Sequence, residues 1–79
     1  MDKETYLSQL GRNIIRIRTE KGWSQSDLAR ATDKDRQSIE RLENGKVNPS
    51  AFYLHEVALA LQVPTYRLLE FNINIQTDL

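Results

Sequence analysis

The chain of 79 residues contains no cysteine, which removes disulfides, thiolate metal sites and cysteine nucleophiles together and agrees with a reducing cytosol. His55 is the only histidine, and no nucleophile or base lies beside it. Metal-ligand spacing and a glycine-rich phosphate loop are missing as well. These absences oppose an enzyme and leave no cofactor or metal to expect. No apolar run approaches the roughly 18 residues of a membrane span, and the first ten residues lack the basic, apolar, small-residue order of a signal peptide. The expectation is a soluble cytoplasmic protein with no membrane partner. An excess of charge is absent too: 11 Lys and Arg balance 11 Asp and Glu, which taken alone argues against a nucleic-acid partner.

The distribution of charge says more than its sum. From Arg12 to Lys46 nine cations face six acids, a local excess of three positive charges, and the flanks carry the compensating acids. One side of the molecule can therefore face phosphate. A chain of this length makes one small domain with a single modest core.

Apolar periodicity predicts helices throughout that domain. Leu7, Leu10, Ile14 and Ile17 recur at intervals of three and four, giving an amphipathic helix from about Thr5 to Lys21 that Gly22 terminates, with Trp23 covering the junction. Ser24 and Asp27 form a capping-box pattern ahead of Leu28 and Ala29, so a second helix runs from Ser24 to Ala31. Thr32 to Asp35 break the pattern. Asp35 then caps a third helix carrying Ile39 and Leu42 until Gly45 stops it. Arg36, Gln37, Glu40, Arg41 and Asn44 remain for its outer face. Ser50 caps a fourth helix with Leu54, Val57, Ala58 and Leu61 facing inward, which Pro64 ends. A fifth, from Thr65 to Glu70, closes the bundle with Leu68 and Leu69.

The last residues change period. Phe71, Ile73 and Ile75 alternate with Asn72, Asn74 and Gln76, the pattern of a strand. A lone strand needs a partner edge, and a second copy of the segment could supply it. Residues 1–71 are thus read as the domain and residues 72–79 as a tail, either irregular or a dimer-forming strand.

The segment from Leu10 to Phe71 resembles the helix-turn-helix domain of lambdoid phage repressors, Cro proteins and the XRE group of bacterial regulators. Gly22-Trp23-Ser24-Gln25, Leu28-Ala29, Ser38-Ile39-Glu40, Leu42-Glu43-Asn44-Gly45, Val57-Ala58 and Ala60-Leu61 carry the likeness. It implies an all-α, five-helix lambda-repressor-like fold whose third helix enters the major groove of double-stranded DNA, acting as a homodimer, most often a repressor, on a palindromic operator. By position, Arg36, Gln37 and Arg41 would read bases, Arg matching guanine O6 and N7 and Gln matching adenine N6 and N7. Ser24, Gln25, Asn44 and Lys46 would contact phosphate, with Arg12 or Arg16 adding to them from the first helix. Arg18 and Glu43 match an internal ion pair of phage repressors. The alternative is a HipB-like antitoxin that binds a toxin partner, which the alternating tail also suits. The turn departs from the family pattern: Asp33 stands where glycine is usual and Lys34 where an apolar residue packs, so Lys34 is expected to forgo a core contact.

Overall fold

A computed structural model describes residues 1–71, which form four α-helices and a closing 3-10 turn. The first helix, α1, spans Lys3–Glu20. It starts two residues ahead of the expected Thr5 because the Asp2 carboxylate accepts the Thr5 N–H at 2.8 Å and caps it. Leu7, Leu10, Ile14 and Ile17 are all buried, as their spacing predicts. At the far end the chain reverses through Gly22, whose φ of +81° suits glycine.

The second helix, α2, covers Gln25–Thr32 and opens with the expected capping box. Ser24 Oγ accepts the Asp27 N–H at 3.1 Å while the Asp27 carboxylate accepts the Ser24 N–H at 2.8 Å. Asp33 closes α2 in the left-handed region, at φ 57° and ψ 37°, so the turn keeps its glycine-like geometry without glycine. Asp35 then caps α3, Arg36–Glu43, by accepting the Ser38 N–H at 2.7 Å.

Ser50 caps α4, Ala51–Leu61. Pro64 does not end this helix: Gln62, left-handed at φ 61°, reverses the chain, and the Val63 N–H returns to the Ala58 carbonyl at 3.0 Å. Pro64 instead precedes the expected short fifth helix, which takes the 3-10 form over Thr65–Leu69. Five residues form too few i to i−4 bonds to sustain an α-helix. Buried Asn13 holds this turn, its Nδ2 donating to the carbonyls of Arg67 and Leu68 at 2.8 Å each. Leu68 is fully buried, whereas Leu69, expected beside it, is 38% exposed. The anticipated tail strand, residues 72–79, lies outside the described residues.

One core collects the buried apolar side chains of all four helices and Leu68. Gly11 lets α1 lie directly on the last turn of α3, since a Cβ there would come within 2.2 Å of the Glu43 carbonyl oxygen. This contact fixes how high α3 rides on the core.

Candidate nucleic-acid interface

Ile39 and Leu42 anchor α3 by one face, with Glu43 buried beside them, so its opposite face must point outward. Arg36, Gln37, Arg41 and Asn44 are all exposed there, and Lys46 follows in the loop. The side chain of Gln37 has no hydrogen-bond partner among the described residues, while Arg41 Nη2 donates to the Lys46 carbonyl at 3.3 Å. A helix that presents three long donor side chains from a rigid mount has the chemistry and the width to read base edges in a major groove.

The mount is an ion pair buried between α1 and α3. Arg18 Nε and Nη2 donate to Glu43 Oε2 and Oε1 at 2.6 and 3.0 Å, and Arg18 Nη1 donates to the Trp23 carbonyl at 2.9 Å. The Glu43 side chain is fully enclosed. Bidentate, charge-assisted geometry of this kind offsets the desolvation of both ions and fixes their mutual orientation.

Gln25 joins the same cluster, which its sequence position did not disclose. Its Nε2 donates to Glu43 Oε1 at 2.9 Å, and its Oε1 accepts from Arg36 Nη1 at 3.2 Å. Arg36 Nη1 also reaches Glu40 Oε2 at 3.3 Å. Ser24 Oγ is engaged in the capping box at the same end of α2. Arg12 and Arg16 are placed differently. They line a cleft with Gln9, Asn13, Glu70 and Phe71 in which no residue of α2 or α3 takes part, and Arg16 pairs with Glu20 at 3.4 Å.

Along its matched region the chain agrees with the helix-turn-helix model HTH_3 over residues 14–68, which takes in every element from the middle of α1 to the 3-10 turn. The chain belongs to this family of helix-turn-helix, XRE-type transcription regulators. It is 34% identical over 68 residues to a "hypothetical transcription factor" of Neisseria meningitidis, an alignment covering 86% of this chain and 64% of the relative. The match therefore spans just under two thirds of that relative's length. A HTH-type transcriptional regulator of Sinorhizobium fredii, y4dJ, is 35% identical over 60 residues, which cover 76% of this chain and 78% of the relative. Among solved structures, the restriction-modification controller protein C.AhdI from Aeromonas hydrophila superposes with a TM-score of 0.77 at 32% identity, covering 78% of this chain and 94% of that one.

Within this HTH_3 fold the turn between α2 and α3 is unusual, and the structure shows how it is supported. Lys34, expected to lose a core contact, instead pairs with Glu56 of α4 at 3.3 Å and lies 5.4 Å above the Tyr53 ring centroid. The Tyr53 hydroxyl is 2.8 Å from Ser38 Oγ on α3. An ion pair, a cation–π contact and a hydrogen bond thus replace one apolar contact. None of the three is visible from local sequence, because Lys34 and Tyr53 meet only after α4 folds back.

Proposed function

We propose that the protein is a sequence-specific regulator, most often a repressor, that reads a palindromic operator as a homodimer through α3. The observation that carries this reading is the exposed set Arg36, Gln37 and Arg41 on a helix held by the buried Arg18–Glu43 pair. Arg36 and Arg41 present forks to guanine and Gln37 presents an amide to adenine. Ser24, Asn44 and Lys46 flank them as phosphate contacts, whereas for Arg12 and Arg16 the assignment rests on their charge alone. Selection of bound sequences from random DNA tests the reading. Sites should contain guanine at positions whose preference disappears in Arg36→Ala or Arg41→Ala, and affinity should fall steeply with salt. Selected sites with no guanine dependence would end it.

The homodimer draws support from α4. Its inner face fills the core, yet Phe52 and Leu59 on the outer face are 67% and 64% exposed, with Tyr66 nearby at 63%. The sole carboxylate of α4, Glu56, is occupied by Lys34. The outer stripe of Phe52, His55 and Leu59 has no acidic or lysine or arginine side chain, so a second copy of the same stripe matches it in chemistry. The antitoxin alternative depended on the tail, which lies outside the described residues, and no feature of residues 1–71 favours a toxin partner.

A further inference from the structure

The two flanks of α3 differ. Toward α2, Arg36 is engaged with Gln25 and Glu40. Toward α4, a recess opens between α3 and the loop that follows it, lined by Asp35, Gln37, Ser38, Arg41, Val47 and Tyr53. Asp35 is exposed and stands immediately ahead of the reading helix. Its Oδ1 accepts the Ser38 N–H at 2.7 Å as the cap of α3, while its Oδ2 has no hydrogen-bond or ion-pair partner among the described residues. The carboxylates within α2 and α3 are all engaged: Asp27 pairs with Arg30, Glu40 with Arg36 and Glu43 with Arg18.

We propose that Asp35 is a base-reading residue that selects cytosine, its free carboxylate oxygen accepting from the N4 amino group in the major groove. The inference rests on α3 being the DNA reader, since the N-terminal residues of such a helix are those that meet base edges. A carboxylate only accepts, so guanine O6 and N7 and thymine O4, acceptors themselves, repel it. Adenine N6 donates but lies beside N7, a second acceptor, whereas cytosine N4 lies beside a C–H. Cytosine alone therefore offers a donor with no lone pair next to it. In front of phosphates an unpaired carboxylate is otherwise unfavourable, and a cytosine in this place offsets the repulsion. With Oδ1 committed to Ser38, the direction of Oδ2 is set before DNA arrives, which lowers the entropy lost on binding.

The cap also dictates what substitution does. In Asp35→Asn only the amide oxygen can accept the Ser38 N–H, so the NH2 group takes the place of Oδ2 and a donor replaces an acceptor. Thymine carries its O4 acceptor where cytosine carries N4, and the preferred base should change accordingly. Asp35→Ser keeps a capping hydroxyl and leaves nothing to face the base. Asparagine and serine cap helices about as well as aspartate, and thermal melting confirms that each variant folds. Sites are selected from random DNA with the full chain, with both variants, and with Arg36→Ala and Arg41→Ala. Affinities are then measured on operators changed one base pair at a time.

At one position of the half-site the full chain should favour cytosine over thymine by at least about 5-fold, and this preference should survive in Arg36→Ala and Arg41→Ala. Asp35→Asn should reverse it, with thymine favoured several-fold, and Asp35→Ser should bind the two bases about equally. Affinity that changes by the same factor on every operator in both Asp35 variants would overturn the inference, leaving Asp35 as a cap that repels phosphate. Preferences altered at several positions together would overturn it in favour of a displaced helix. Should Arg36→Ala, Arg41→Ala and Asp35→Ser all leave every preference intact, α3 is not the reader and the inference falls with that assignment.

Discussion

Replacing Gly11 by alanine offers a direct measure of how closely α1 and α3 must approach. An ideal Cβ at that position would lie 2.2 Å from the Glu43 carbonyl oxygen, 2.6 Å from its carbon and 2.9 Å from the Leu42 oxygen. Ordinary carbon–oxygen contacts fall at about 3.3–3.6 Å, so the added methyl intrudes by roughly 1 Å. Its neighbours are backbone atoms in the last turn of a helix, and no side chain can rotate away. The two helices must separate. Overpacking a dense interior costs about 1–3 kcal/mol, and a rigid backbone neighbour places this site at the upper end. Alanine returns about 1 kcal/mol through its higher helix propensity. The net loss is about 2 kcal/mol, a fall in melting temperature of roughly 8–16 °C for a domain of this size. Urea unfolding and thermal melting followed by circular dichroism measure both. Gly22→Ala is the contrasting control, because a Cβ there meets nothing within 4 Å and only its φ of +81° resists substitution. Equal or greater stability of Gly11→Ala than wild type would show that the contact does not set the height of α3.

Two further outcomes follow from the caps and the turn. Asp33→Gly removes a left-handed aspartate at φ 57° and should gain about 0.5 kcal/mol, the backbone relief exceeding the added freedom of the unfolded chain; a lower melting temperature than wild type would refute the strain. The Asp27 carboxyl is held below the usual carboxylate range by the Ser24 backbone N–H first, then by the Ser24 hydroxyl, with Arg30 adding to both. A lowered folded-state value means that the cap's contribution is complete above the unfolded carboxylate range and disappears as pH falls through the folded value. The Ser24 amide proton, followed by NMR, should therefore titrate with a midpoint below the ordinary aspartate value of about 3.9, and a midpoint at or above it would contradict the capping geometry.

What sequence disclosed and what it withheld divide by distance along the chain. Ser24, Asp35 and Ser50 cap helices by bonding an N–H three residues away, so residue type and local spacing suffice to find them. The apolar stripe of α1 is equally local. The Arg18–Glu43 pair spans 25 residues and entered only through family likeness, which the geometry then justified. Gln25 with Glu43, Lys34 with Glu56, and Asn13 with the 3-10 turn had no such guide, since each joins elements whose relative placement depends on the finished core. The end of α4 was misjudged for another reason. Proline is a strong local signal, but Gln62 had already reversed the chain in a conformation that glutamine rarely adopts. Gly11 interrupts the α1 pattern locally, but what it packs against, the last turn of α3, depends on the finished core.

The bracing of the turn has a consequence for the operator. Lys34 and Tyr53 fasten the α2–α3 turn to the inner side of α4, and the same helix presents Phe52 and Leu59 on its outer side. Two copies meeting through α4 would place their reading heads like the jaws of a caliper set to one opening, with a single short helix between jaw and joint. Such an instrument accommodates a changed base more readily than a changed spacing. Each inserted base pair also rotates one half-site around the duplex axis by about a tenth of a turn, and this frame has no soft linker along which to follow it.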